Sequence, residues 1–383
     1  FGFVVMQIKL LIFMLFHIIK KKKKLILFSA GGGGGFYDNP KSIFERMIID
    51  RVDRKVFWIT KSKEQAKKIE ISGYPVAYSY SINGIWMQLR AHTVVFTHQV
   101  NGEFLSYLIS DNVKRVQACH GNQIKKIDAD DLKDKYENTK YLLKKYILRY
   151  LHNHNDLVLS CSQNDRKILS QAFRTSIEKI KITGYPRNDL LITNKTNNDL
   201  PVQIIYMPTF RGEVNSEFLL LDDLIVMIDD LEDLLEKING CLNIKLHPVQ
   251  KISSSNLEVI SNAKRIKFVD NTLPIYQTLN TFDILITDFS SVYFDYLLLG
   301  KPIIMAPLHE NEYLEFDRSI YYSYDDLCIM SKCQSWNEIS KQIEEIKIKK
   351  IYDYGRHALL LNKFHVYKDG NSSKRAYIEI LKI

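Results

Sequence analysis

Cysteine is scarce in this sequence of 383 residues. The five cysteines are scattered, odd in number and never spaced as a CxxC pair. This argues against a disulfide framework and against a zinc site, and it favours a reducing compartment. The length allows two domains with a hydrophobic core each, and 46% hydrophobic with 25% charged residues is typical of a folded soluble protein.

Several motifs of nucleotide and hydrolytic chemistry are also missing. There is no GxxxxGK[ST] loop, which argues against a P-loop nucleotidase, and no G-x-S-x-G elbow. The five consecutive glycines at 31–35 match a dinucleotide-binding pattern only trivially, because no acidic residue follows at the end of a clear second strand. No acidic cluster suited to a divalent metal is evident, so we expect a metal-free reaction without a cofactor.

The net charge of +9 favours an anionic partner, which could be nucleic acid, an anionic membrane or a phosphorylated substrate. The lysines, however, lie at the N-terminus or alternate with acidic residues along helical segments. A basic stripe with interleaved aromatic residues does not occur, which argues against nucleic acid as the partner.

The first nineteen residues are apolar, interrupted by Gln7, Lys9 and His17, and five lysines follow at 20–24. This run is short for a membrane-spanning helix and lacks the cleavage site of a signal peptide. We therefore predict that residues 1–24 associate with a membrane, as a shallow anchor held to anionic lipid by the lysines. The alternative is a misassigned start, with Met6 as the initiator.

From residue 25 onward, short apolar runs alternate with helical segments. The runs are LILFSA, KVFWIT, HTVVFTH, KRVQAC and DLVLSC, followed after a polar stretch by QIIYMP, LNIKLHP, IKFVD, DILITD and PIIMAP. Such alternation predicts an α/β fold with mainly parallel sheets that helices cover on both faces. The helices include one that opens at Asn39-Pro40 and one long helix over 219–238.

The polar stretch 193–198 is the best candidate for a linker. We therefore predict two Rossmann-like domains, an acceptor-side domain over 25–192 and a donor-nucleotide domain over 199–383, with a cleft between them. In this prediction, the last helix of the chain could pack back on the first domain.

Reactive side chains follow five of the predicted strands, one of which is the further run KIKIT shortly before Arg187. Ligands of open α/β sheets gather beyond the carboxyl ends of strands. In chain order these side chains and their neighbouring glycine are His120, Gly121, Arg187, Arg211, His247, Asp288, Ser290 and Ser291. Each has a simpler explanation. Arg187 could pair with Asp189, and Ser290 could serve as the N-cap of a helix without binding a ligand. Together, they predict a site.

The chemistry of this group points to phosphate. Ser290 and Ser291 precede a predicted helix that Gly300 ends, and a helix N-terminus with hydroxyl groups and unpaired N–H groups binds anions. Arg211, on another strand-end loop, could supply a bidentate guanidinium to the same phosphates.

The sequence resembles the CDP-glycerol glycerophosphotransferases of teichoic acid and capsule synthesis. The resemblance covers almost the whole chain after residue 24 and lies in segments that follow the family's order: YDNPKSIFE, ACHGNQIKKI, TGYPRNDLL, YMPTFRG, KLHP, LITDFSSVYFDYLLLGKPIIM and YKDGNSSKR. Two departures flank His120, with Cys119 in place of a tryptophan and Asn122-Gln123 in place of Thr-Pro. They leave open the acceptor and the polyol that the donor carries.

The resemblance implies a glycosyltransferase-B-like fold in which the C-terminal domain binds the donor CDP-glycerol. It also implies peripheral attachment to the cytoplasmic face of the membrane, where lipid-linked glycan or polymer acceptors are extended. His120 corresponds to the family's catalytic base, and donor-phosphate contacts are implied for Arg211, His247, Ser290 and Ser291. In this interpretation His247 is protonated and donates to the departing phosphate.

Two alternatives stay open. A related transferase would use CDP-ribitol or a sugar nucleotide, and an inactive chain would be a membrane-bound binding module. A sugar transferase releases a nucleoside diphosphate, whereas transfer of glycerol phosphate releases CMP, so the nucleotide product distinguishes these reactions.

Overall fold

The computed structural model describes residues 2–16, 18–130, 154–193, 201–211, 220–247, 250–270, 275–316 and 319–383. The chain divides into two compact units. Unit 1 comprises Phe1–His120, Asp128–Asp189 and Val366–Ile383, and unit 2 comprises Gly121–Ile127 and Leu190–His365. Apart from Thr193, the predicted linker lies outside the described residues.

Unit 1 contains a seven-stranded sheet, in which each strand pairs in parallel with its neighbours in the order β3-β2-β1-β4-β5-β6-β7. The strands are β1 (Leu25–Phe28), β2 (Lys55–Thr60), β3 (Val76–Tyr78), β4 (Thr93–Phe96), β5 (Lys114–Gln117), β6 (Leu157–Ser160) and β7 (Ile180–Ile182). The sequence pattern missed β3, a strand of three residues.

Two buried clusters of apolar side chains form the core of unit 1. One gathers Phe44, Trp58 and Val116, and the other gathers Leu27, Val94 and Phe104. The helices of this unit are Gly2–Phe16, Asp38–Ile49, Lys63–Ile71, Ile82–Arg90, Val100–Glu103, Gln163–Ala172 and Ser372–Leu381, and the short helix Asp189–Thr193 begins at its boundary.

The C-terminal helix of unit 1 is anchored by a single carboxylate. Both oxygens of Asp189 accept backbone N–H groups of its first turn, from Ser372 and Ser373, at 2.8 Å each. Farther along, Tyr377 packs into the core and donates its hydroxyl to Asp50 at 2.7 Å. A carboxylate at a helix N-terminus satisfies N–H groups that have no partner within the helix, which fixes the tail YKDGNSSKR against the motif TGYPRNDLL.

Unit 2 contains a five-stranded sheet, also parallel, in the order β10-β9-β8-β11-β12. The strands are β8 (Val202–Met207), β9 (Gly240–Ile244), β10 (Ile266–Phe268), β11 (Ile284–Thr287) and β12 (Ile303–Met305). The helices are Leu220–Val226, Ile228–Lys237, Ser254–Asn262, Val292–Leu297, Glu310–Phe316, Tyr324–Leu327, Trp336–Glu344 and Tyr354–Phe364. The prediction of an α/β fold with parallel sheets is confirmed.

The single long helix predicted over 219–238 is wrong. Its backbone breaks at Met227, whose φ of −108° and ψ of 18° leave the helical region, so that two shorter helices result. Leu224 and Leu231, on either side of the break, are buried in the same core. The apolar periodicity therefore continues across the break, which is why the sequence pattern did not reveal it.

The N-terminal helix Gly2–Phe16 packs on unit 1 through Ile12, which contacts the buried Leu105 and Leu108. Phe13 is buried as well, whereas Ile8, Leu11, Met14 and Leu15 are exposed. Among the described residues, we find no helix that combines the length and the apolar character needed to cross a membrane.

Candidate active site

The candidate base His120 lies beyond the carboxyl end of β5 in unit 1. The neighbouring strand β4 runs parallel to it, with Phe96 opposite Gln117, and His98 lies just beyond its end. The rings of His98 and His120 stack, with centroids 4.6 Å apart and planes at 26°. His98 ends the predicted strand segment HTVVFTH and was not among the candidate residues. The signal that singled out His120, a histidine after an apolar strand, also applies to His98.

The carboxylate of Glu103 lies next to the ring of His98 and is fully buried. It accepts the backbone N–H of Thr97 at 3.1 Å and that of His98 at 2.8 Å. It also accepts the Thr97 hydroxyl at 2.5 Å. This residue was missed as well, since nothing in the sequence marks one glutamate in a short helix as buried.

The backbone around His120 is sharply turned. Cys119 has a φ of 56° and Gly121 a φ of 116°, both in the left-handed region. The side-chain amide of Asn39 donates to the carbonyl oxygens of Ala118 and Cys119, at 3.0 Å each. The first helix motif thus holds the strained turn that presents His120, and burial raises the pKa of the Cys119 thiol, which stays protonated.

Arg187 contacts the first helix motif. Its guanidinium donates to Asp38 at 3.0 Å, and its backbone N–H donates to the Asn39 side chain at 3.0 Å. Both oxygens of Asp189 accept N–H groups at the N-terminus of the last helix, and the pairing of Arg187 with Asp189 considered from the sequence stays a prediction. Arg187 therefore supports the Asn39 contact that holds the turn before His120.

In unit 2, the loops after β9, β8 and β11 lie side by side, since these strands are neighbours and parallel. Asp288, after β11, is buried and accepts the backbone N–H of Thr209 at 2.7 Å. It also accepts the guanidinium of Arg211 at 2.8 Å. This carboxylate thus orients the loop after β8.

Two further contacts tie the β8 loop to the β9 loop. The backbone N–H of Arg211 donates to the side chain of Gln250 at 3.2 Å, and the ring of Phe210 lies 5.6 Å from that of His247. Partial desolvation is the larger cause of the lowered pKa of His247, and the positive charge of Lys125 lowers it further. The neutral imidazole is therefore favoured over the protonated one that we expected.

Ser290 and Ser291 form the turn between β11 and the six-residue helix Val292–Leu297. Ser291 occupies the N-cap position, but its hydroxyl makes no capping hydrogen bond. The simpler explanation of a cap at Ser290 is therefore not what the structure shows, and the serine hydroxyls are not used as caps. The helical segment that starts at Val292 finishes at Gly300, whose φ is 64°, and the sequence predicted this end.

The structure thus gathers Arg211, His247, Asp288 and the serine pair at one sheet edge of unit 2, and it places His120 at a sheet edge of unit 1. Within the described ranges, His, Cys, Asp and Glu side chains do not cluster in threes as a metal site requires. The expectation of a metal-free reaction stays a prediction.

Comparison with known proteins decides the family. A model of the family described as CDP-glycerol:poly(glycerophosphate) glycerophosphotransferase matches residues 11–382. The chain belongs to this family. The resemblance found in the sequence is confirmed, and the family is described as one of transferases.

Several teichoic acid polymerases are similar to this family member. The chain is 26% identical over 242 residues to the ribitol-phosphate polymerase TarK of Staphylococcus aureus, a match that covers 58% of the chain and 44% of that relative. It is 26% identical over 367 residues to a poly(glycerol phosphate) polymerase of Bacillus spizizenii, with 90% and 89% covered. The chain thus spans less than half the length of TarK.

A solved structure shares the fold. The wall teichoic acid polymerase TagF superposes with a TM-score of 0.75 at 21% identity, and the match covers 99% of this chain and 94% of that one. This likeness confirms the predicted glycosyltransferase-B-like fold class.

The ion pair between Asp288 and Arg211 yields a prediction about stability. Replacing either residue with alanine leaves a largely buried charge without its partner, which typically costs about 3–5 kcal/mol. We expect the double variant Asp288→Ala/Arg211→Ala to lose clearly less stability than the sum of the single variants. Urea unfolding of the four proteins measures this coupling.

The exposed pair between Lys237 and Glu344, also in unit 2, is the matched control. Solvent screens it, so its double-mutant cycle should be additive. An additive cycle for Asp288 and Arg211 as well would contradict the role of their ion pair.

Proposed function

We propose that this chain transfers glycerol phosphate from CDP-glycerol to a hydroxyl of a membrane-linked glycan or polyol-phosphate acceptor and releases CMP, in the synthesis of a cell-wall or capsule polymer. The observation that carries the proposal is the meeting of three motif loops at neighbouring strand ends of unit 2. The buried carboxylate of Asp288 joins the β11 loop to the β8 loop, and Gln250 joins the β8 loop to the β9 loop. Membership of the glycerophosphotransferase family supports the choice of donor.

The donor phosphates bind to this edge of unit 2 in the proposal. Asp288 holds the guanidinium of Arg211, which also stacks 4.6 Å above the ring of Tyr313 and is thereby fixed for planar recognition of phosphate oxygens. The hydroxyls of Ser290 and Ser291 donate to the same phosphates. His247, as a neutral imidazole, donates an N–H to the phosphate that departs with CMP.

The transfer itself needs a base for the acceptor. His120 takes the proton of the acceptor hydroxyl, and the oxygen attacks the β-phosphorus of CDP-glycerol, the one that carries glycerol. The bond from this phosphorus to the bridging oxygen breaks, and CMP leaves with that oxygen. A half-buried histidine on a rigid turn suits this task, since positioning supplies much of the rate in phosphoryl transfer.

A second donor has an observation in its favour. TarK, one of the similar proteins, is named as a ribitol-phosphate polymerase, and Cys119 with Asn122-Gln123 departs from the family pattern beside His120. The purified chain, incubated with membranes and either CDP-glycerol or CDP-ribitol, distinguishes the two by the polymer formed. Release of CMP from CDP-glycerol supports the proposal. Release of CMP from CDP-ribitol alone, or of a nucleoside diphosphate from a sugar nucleotide alone, would contradict it.

The first functional prediction concerns His120. Because loss of a general base typically costs about 10²- to 10⁴-fold in rate, we expect His120→Ala to lose turnover by that factor. Its affinity for CDP-glycerol, measured by calorimetry, should stay that of the wild type, since unit 2 binds the donor. Turnover within threefold of the wild type would sink the assignment of His120.

The second functional prediction concerns the serine pair. The variant Ser290→Ala/Ser291→Ala should weaken CDP-glycerol binding by about 1–3 kcal/mol for each hydrogen bond lost, with little change in unfolding. Ser254→Ala/Ser255→Ala is the matched control, because these exposed serines begin another helix of unit 2. Equal donor affinities for both variants would place the phosphates elsewhere.

We also propose that the chain works at the cytoplasmic face of the membrane, where donor and lipid-linked acceptor meet. The helix Gly2–Phe16 exposes a stripe of apolar side chains, with Leu11 and Leu15 more than half exposed, and five lysines follow at 20–24. Next to it, the helix Ile82–Arg90 exposes Trp86, a side chain that favours the interface between lipid and water. Apolar side chains beside lysines suit an anionic lipid surface.

Vesicle sedimentation tests the membrane proposal. Leu11→Asn/Leu15→Asn should lower binding to anionic vesicles about tenfold or more, because two apolar side chains no longer leave water on binding. Ile49→Asn/Ile71→Asn is the control, since both isoleucines are at least 72% exposed but lie on other helices of unit 1. High salt should weaken binding only in part. Equal loss in both double variants would contradict the proposed face.

A further inference from the structure

His98 is locked at the end of β4 from both sides. Its backbone N–H donates to Glu103 at 2.8 Å, and its carbonyl oxygen accepts the side-chain amide of Gln117 at 2.8 Å. Gln117 is the last residue of β5, three positions before His120. The same bond therefore ties the loop that carries His98 to the loop that carries His120.

The hydrogen bonds of Thr97 fix the ring of His98. The Thr97 hydroxyl has one proton, and it goes to Glu103, because an ionised carboxylate only accepts. The contact of 2.9 Å between the Thr97 oxygen and Nδ1 of His98 must then be donated by an Nδ1–H. Glu103 accordingly determines both the direction of the Thr97 hydroxyl and the tautomer and orientation of the His98 ring.

The negative charge of Glu103 also favours a proton on Nδ1 of His98. The Nδ1 of His98 lies 3.5 Å from Oε1 of Glu103, and this carboxylate raises the pKa of His98. A proton on Nδ1 is therefore held both by the Thr97 oxygen and by the buried negative charge. The ring so held then stacks on His120 at 4.6 Å.

We infer that His98, held by Thr97 and the buried Glu103, is the positioning residue that fixes the ring of His120 for proton transfer. The inference rests on the proposed role of His120 as the base. His120 lies between two residues with left-handed backbone, Cys119 and Gly121. A flat neighbouring ring limits the rotation of the ring that stacks on it. A displacement of about 1 Å in a catalytic group can cost about 10²-fold in rate, so such a support affects turnover.

The inference predicts different effects for two substitutions of His98 in the full chain. His98→Ala removes the stacked ring and should lower kcat about 10- to 100-fold, with the KM for CDP-glycerol within about twofold of the wild type. His98→Phe restores a flat ring without the polar nitrogens and should recover kcat to within about fivefold. His92→Ala, at the opposite end of β4, is the matched control and should keep the wild-type rate.

Nuclear magnetic resonance of ¹³C-histidine-labelled protein gives a readout that is independent of turnover. The ring signal of His120, assigned by its absence in His120→Ala, should shift in His98→Ala, where the stacked ring is lost, and change less in His98→Phe.

The outcomes separate this inference from the proposed function. If His120→Ala is inactive but His98→Ala keeps the wild-type kcat, the positioning role is overturned and the function stands. If His98→Phe keeps the wild-type ring signal of His120 but is as inactive as His98→Ala, His98 acts on the chemistry directly through its nitrogens, and the positioning role is again overturned. If the ring signal of His120 responds as expected while His120→Ala stays active, the stack is supported and the assignment of the base fails.

Discussion

Buried carboxylates at the carboxyl ends of parallel strands hold the candidate site together. Beyond the last paired residue of a strand, a backbone N–H has lost its partner in the sheet, and leaving it buried without one costs about 1–3 kcal/mol. Three carboxylates meet this need in the same way: Glu103 accepts from Thr97 and His98, Asp165 from Cys161, and Asp288 from Thr209. The loops that leave these strands are thereby fixed near the sheet edge.

The three carboxylates differ in what balances their charge. Asp288 faces the guanidinium of Arg211. Asp165 is buried next to the Tyr185 hydroxyl, which donates to it at 2.8 Å, and burial raises its pKa to about 7. Glu103 faces the His98 ring, which gains basicity from it. The same backbone requirement therefore leads to an ion pair in unit 2 and to a histidine with a raised pKa in unit 1.

Each unit contributes a different part of the proposed chemistry. The edge of unit 2 has an arginine, serine hydroxyls and a neutral histidine, a combination that suits phosphate oxygens. The edge of unit 1 has two stacked histidines. Asn39 of the first helix motif and Arg187 of the motif TGYPRNDLL hold the turn that carries His120. Family motifs that look unrelated along the chain thus serve a single structural task, the support of His120.

The sequence by itself determined the class of fold, the strand ends and the family. Apolar runs of four to six residues between helical segments mark strands whether or not their partners are known, and residues directly after them must lie at a sheet edge. The candidates His120, Arg211, His247 and the serine pair were found in this way. Only the tertiary structure decided which of these side chains meet. It paired Arg187 with Asp38 and Arg211 with Asp288, broke a helix at Met227, and revealed His98 and Glu103. The physical reason is that periodicity reports burial along one element, whereas partners come from strand order and from the desolvation of charges, which depend on residues far apart in the chain.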